Sequence, residues 1–173
     1  MKNNLATRET SAAKKWRNFA LVALLIFSSV IGVLFFLKAT DHRSELRNAL
    51  ASQDNPRLEQ LLKTHPGLVN AKLTNRGAKD LWEPLHMAAY SGNTNAIEIL
   101  LKYKAKVNVR DDNGLTPLHY SVARGGYESA QLLINKGADM NAKGRDGHTP
   151  IELAKNLRDL RMIELFRIRG AKE

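Results

Sequence analysis

Three segments of the chain recur at a fixed interval, and that interval constrains the fold more than any other feature. Glu83-Pro84-Leu85-His86-Met87-Ala88-Ala89, Thr116-Pro117-Leu118-His119-Tyr120-Ser121-Val122 and Thr149-Pro150-Ile151-Glu152-Leu153-Ala154 place their prolines at even intervals, Pro84 to Pro117 to Pro150. The same step carries Leu100 to Leu133 to Phe166, Asn108 to Asn141, His86 to His119 and Gly137 to Gly170. A period of this size marks a supersecondary unit too small to bury its apolar face alone, so neighbouring units must stack to make a core.

Local chemistry defines one unit. Thr116 can cap a helix that begins with Pro117, where a missing N–H costs little. Gly125 and Gly126 break the chain, and a second helix, roughly Tyr127–Asn135, ends at Lys136-Gly137, a cation followed by a residue able to adopt positive φ. Asp111-Asp112-Asn113-Gly114 is a turn sequence. The unit therefore reads as helix, turn, helix, finger. A degenerate copy lies upstream, with Leu46-Arg47-Asn48-Ala49-Leu50 as first helix, residues 57–63 with Leu58, Leu61 and Leu62 as second, and residues 66–71 as exit. The stretch from Asn70 to Pro84 is longer than its counterpart from Asn108 to Pro117, so the first connection carries five extra residues within 72–82. In the last copy Lys155, Arg158, Arg161, Arg167 and Arg169 share helices with Leu153, Leu157, Ile163, Leu165 and Phe166, which are expected on the inner face. Terminal units depart from the common pattern because one side meets solvent.

These segments resemble the ankyrin repeat, whose signature is T-P-L-H-x-A-A, a glycine, an I/V-x-x-L-L helix and a G-A-D-V-N-A exit. Residues 114–142 match it nearly throughout. The resemblance covers roughly residues 44–172 and implies an all-α fold. The expected architecture is an ankyrin-type helical solenoid of about four helix-turn-helix/β-turn repeats, at 44–72 (degenerate), 81–110, 111–143 and 144–172 (capping). The resemblance also implies a non-catalytic protein-binding module.

Ahead of the repeats, residues 19–37 (FALVALLIFSSVIGVLFFL) contain none of the chain's 27 Lys and Arg or 17 Asp and Glu. As a helix rising ~1.5 Å per residue they would span about 29 Å, close to the ~30 Å hydrocarbon core of a bilayer. A helix apolar on every side needs lipid or a large protein around it, and the chain is 173 residues long. The stretch is longer than the ~7 to 15 residues of a signal-peptide core, and no small residue stands three positions before a cut after Ala39. The expectation is one uncleaved transmembrane helix between a basic cytoplasmic tail, 1–18, and a linker, 38–43. Five Lys/Arg precede the helix, whereas Lys38, Arg43, Arg47 and Arg57 follow it. That bias favours a cytoplasmic N-terminus and an extracytoplasmic repeat domain, periplasmic in a Gram-negative bacterium. Ser28 and Gly32, four apart, leave a second role open, an accessory subunit whose anchor packs in a larger membrane complex.

Reaction classes fall away quickly. With no Cys there is no disulfide, thiolate zinc site, Cys nucleophile or iron–sulfur cluster. No G-x-S-x-G, G-x-x-x-x-G-K-[ST] or G-x-G-x-x-G occurs. His86 and His119 recur in adjacent units, about one helix packing distance of ~8 to 10 Å apart. That is too far to share a zinc ion whose ligand bonds are ~2.0 to 2.1 Å. The resemblance implies that they hydrogen-bond across neighbouring fingers, as the repeat's histidine does, in a row that ends where Glu152 replaces histidine. No enzyme activity, cofactor, metal or small-molecule substrate is expected.

What remains is surface. In ankyrin-like arrays, partners meet the finger tips and exposed sides of the first helices. Carried over residue by residue, that surface comprises Lys79, Asp80, Trp82, Tyr90 and Ser91, then Asp112, Asn113, Leu115, Ala123 and Arg124, then Lys143, Arg145, Asp146 and His148. Two roles stand open for Trp82. It is a hot-spot residue type, and equally a plug for the gap left by the insertion. The net charge of +10 divides into +4 in the tail and +6 in the repeats. The repeat cations are interspersed with acids and lack an aromatic-lined groove, so nucleic acid is not the expected partner. Lys102, Lys104, Lys106 and Arg110 form the densest cluster.

Overall fold

The computed structural model describes residues 42–74 and 81–170, which belong to a compact unit, His42–Glu173. The expected membrane helix, the tail, residues 38–41 of the linker, and Lys79 and Asp80 lie outside the described residues. Among the described residues, no helix is long and apolar enough to cross a membrane.

Helix α1 covers 42–51 of the described residues, so the last two residues of the expected linker, 42 and 43, are already helical. It is followed by α2 (Asn55–Thr64), a 3-10 turn (Pro66–Asn70), β1 (Leu73–Thr74), β2 (Leu81–Trp82), α3 (Pro84–Ser91), α4 (Thr94–Lys102), α5 (Pro117–Ala123), α6 (Tyr127–Asn135), α7 (Pro150–Asn156) and α8 (Leu160–Ile168). Helices among the described residues therefore come in four pairs. One departure from an all-α chain lies where the extra residues fall: β1 and β2 pair antiparallel, Leu73 opposite Trp82 and Thr74 opposite Leu81, so the first finger is a short hairpin.

Each pair is built by the same local chemistry. α3, α5 and α7 all open with proline behind a capping box, Glu83 with His86, Thr116 with His119 and Thr149 with Glu152. Asp54, Asn93 and Asp159 cap α2, α4 and α8 by accepting from the N–H of Arg57, Ala96 and Met162. The chain turns between and after helices in the left-handed region at Gly92, Gly125, Gly137 and Gly170.

The first helices form one stacked row, α3 on α5 and α5 on α7, and the second helices another, α2, α4, α6 and α8. Apolar residues at the repeat step meet between units: Leu100, Leu133 and Phe166 are fully buried, with Leu85, Leu118 and Ile151 alongside. Leu58, Leu61 and Leu62 of the degenerate unit join the same core. In the last unit Leu165 and Phe166 are buried and Leu153 and Ile163 partly so, but Leu157 is 51% exposed, contrary to its expected place on the inner face. Register is the reason. Leu157 stands one repeat step after Arg124, itself an exposed residue at the end of its helix.

Candidate functional site

The fingers and the first helices carry the candidate surface, and the fingers are fastened to one another. Asp111 Oδ1 accepts from the N–H of Asn113 (2.9 Å) and of Leu115 (2.8 Å), closing the second finger. Asp112 Oδ2 accepts from Leu81 N–H (3.2 Å), and Asn113 carbonyl accepts from Arg145 N–H (2.9 Å), so backbone donors join each finger to the next. Arg110 adds a side-chain link by donating to the carbonyls of Gly114 (2.9 Å) and Lys143 (2.6 Å).

The histidines complete this ladder. His86 Nδ1 accepts from Glu83 N–H (3.1 Å), so the ring proton resides on Nε2, which donates to the Leu115 carbonyl (3.2 Å). His119 repeats the arrangement, accepting from Thr116 N–H (3.1 Å) and donating to the His148 carbonyl (3.2 Å). Both nitrogens of each ring are thereby committed, and burial pushes both imidazoles below the ordinary histidine pKa. At the equivalent position Glu152 accepts from the Thr149 N–H (2.7 Å) and hydroxyl (2.9 Å), which holds its pKa down, and no further finger follows among the described residues. Among the described residues, no group of three His, Asp or Glu could hold a metal ion.

An aromatic cluster sits between the second and third units. Trp82 lies 4.4 Å from Tyr120 and 5.3 Å from Tyr90 between ring centroids, and His86 meets Tyr120 edge-on at 5.7 Å. The Tyr120 hydroxyl donates to Asp111 Oδ2. Trp82 is 7% exposed, whereas Tyr90 is 42% exposed. The Arg124 guanidinium lies over the Tyr90 ring at 4.9 Å.

The family model for ankyrin repeats (3 copies) matches residues 46–144, more than half of the chain. The chain belongs to the ankyrin repeat family. No curated protein sequence matches it. Ankyrin repeats generally serve as protein-protein interaction modules without catalysis, and this chain carries that module.

Within the ankyrin array, the expected partner residues divide. Tyr90, Ser91, Arg124, Lys143, Arg145, Asp146 and His148 are exposed, with Asp112 and Ala123 beside them, while Asn113 and Leu115 are half-buried. Lys79 lies outside the described residues. Asp112 and Arg145 also spend polar groups on the finger ladder, and His148 pairs with Asp146 at 3.1 Å. Of the two roles open for Trp82, its burial between Tyr90 and Tyr120 matches the plug. Sequence reasoning missed Asp111 and Tyr120. The period held the signal for Tyr120, because it stands one repeat step after Met87 on the same side of the first helix.

Two members of the cation cluster are already engaged. Lys102 Nζ is bound to Glu59 Oε1 (2.6 Å), and Arg110 is occupied with carbonyls. Lys104 and Lys106 remain exposed.

Proposed function

We propose that the chain is a membrane-anchored ankyrin repeat protein that binds a protein partner non-covalently on the face made by its fingers and first helices, tethering or masking that partner. The observation that carries the reading is the Tyr90–Arg124 pair. An exposed aromatic ring lies under a guanidinium for which no carboxylate partner is found among the described residues. Tyr and Arg are residue types enriched in interface hot spots, and here their chain neighbours Ser91 and Ala123 are exposed as well, so a partner docking there shields the pair from water.

Residues 19–37 supply the anchor in this reading, with the tail in the cytoplasm and the repeats on the opposite side. Length, the absence of charge and the flanking Lys/Arg bias support it. A reporter fused to the C-terminus and scored on either side of the membrane tests the orientation; activity on the cytoplasmic side rejects it. For the binding surface, the full chain is used as bait from detergent extracts beside Tyr90→Ala/Arg124→Ala. Specific recovery that survives the double substitution rejects this surface.

A further inference from the structure

The last unit carries a second exposed face with a different chemistry. Leu160 is 78% exposed and Ile168 72%, the two most exposed large hydrophobic residues among those described, and Leu157 is nearby in sequence. Residues 160, 164, 167 and 168 follow the i, i+4, i+7, i+8 spacing, which puts Leu160, Glu164, Arg167 and Ile168 on one side of α8. The opposite side, Met162, Leu165 and Phe166, is the buried one. Residues 155–169 hold five basic side chains, Lys155, Arg158, Arg161, Arg167 and Arg169, against Asp159 and Glu164. Asp159 caps α8 and keeps its charge, while Arg161 lies over the Tyr127 ring with Glu128 3.5 Å away and Arg169 donates to Asn135, so the stretch still carries a net positive charge.

We propose that this outer side of α8, with the end of α7, docks on an anionic lipid surface. Leu160 and Ile168 are both largely exposed, which leaves their side chains able to enter the apolar part of a lipid interface. Lys155 and Arg158, both exposed, have the reach to stay at headgroup level while the apolar residues enter the interface. The local excess of positive charge selects anionic headgroups. A second copy of the chain would bring like-charged faces together. The proposal does not depend on residues 19–37 spanning a bilayer, or on the Tyr90–Arg124 surface.

The natural sequence has no Cys, so single-cysteine variants of the full chain, Leu160→Cys, Ile168→Cys and, as a control on α4, Asn95→Cys, each accept one environment-sensitive NBD label. Labelled protein is reconstituted into vesicles of phosphatidylcholine alone or of equimolar phosphatidylcholine and phosphatidylglycerol. The expected result is a blue shift and at least about a two-fold rise in emission at 160 and 168 in the anionic vesicles, reversed by high salt and absent at 95. Arg158→Glu/Arg167→Glu in the Ile168→Cys background returns emission to the phosphatidylcholine level, with circular dichroism confirming that the helices persist. Equal emission in the two lipids overturns the proposal. So does a rise that follows protein density and survives in detergent, which would assign the face to self-association. Release by alkaline carbonate reports separately on the anchor.

Discussion

Among single side chains, the aromatic cluster shows why close neighbours have opposite uses. Trp82 is enclosed by Tyr90 and Tyr120 and is buried, so Trp82→Ala should cost about 3 to 5 kcal/mol of stability. Urea unfolding measures this, with Trp82→Phe recovering a large part. Tyr90→Ala, at an exposed position, should change stability far less while weakening a partner. A loss of binding on removing Trp82 therefore reports folding, not contact. The two ladder histidines carry a pH consequence. Burial places their folded-state pKa values below the ordinary value of about 6.5. In that window the unfolded chain binds more protons than the folded one, so stability is complete above about 6.5 and declines as pH falls through it. Urea midpoints from pH 8 to 5 should fall accordingly, and His119→Gln should flatten the decline; an unchanged slope would sink the assignment.

Among the helices and their ends, the repeat register reveals features that residue type hides. Lys104 has φ 70°, and it stands one repeat step before Gly137, at φ 88°. Lys104 thus occupies a glycine position, and Lys104→Gly should raise stability by about 1 kcal/mol by removing the left-handed penalty of a side chain. Gly126 presents the converse case. Its φ of −80° and ψ of 76° nearly equal those of the cap Asn93, −78° and 89°, yet it supplies no side-chain cap to α6. A Cβ there would lie 2.5 Å from Ser129 Oγ, which donates to Gly126 carbonyl instead. The equivalent of Ser129 in the preceding unit is Ala96. Gly126→Asn together with Ser129→Ala should therefore install the missing cap for a gain of about 1 kcal/mol, whereas Gly126→Asn alone should gain less or lose. Thermal melts of the single and double variants decide it. The proline and glycine positions were legible from the sequence because their backbone demands coincide with their residue types. Lys104 and Arg158 were legible only through register, one repeat step from Gly137 and Gly125, because nothing in those side chains, or in Gln53, announces positive φ. The candidate surface was legible in the same uneven way: Tyr90 and Arg124 follow from register, but the burial of Trp82 depends on the hairpin that the extra residues create.

Taken as one body, the array is a set of units joined through shared faces. Leu133 has the fully buried Leu100 on one side of its register and Phe166 on the other, and α6 packs on both α4 and α8. The energy of such an array is close to a sum of unit terms and nearest-neighbour interfaces, so a cavity in the third unit weakens two interfaces at once. Leu133→Ala should cost about 2 to 5 kcal/mol. Its distribution distinguishes this from a uniform loss. Amide protection should fall most in α6, then in α4 and α8, while α2, which packs on α4 at the far end of the stacked row, should retain its protection longest. Hydrogen exchange on the intact chain reads this pattern, and an even loss of protection over all four units would show that the repeats unfold as a single cooperative body.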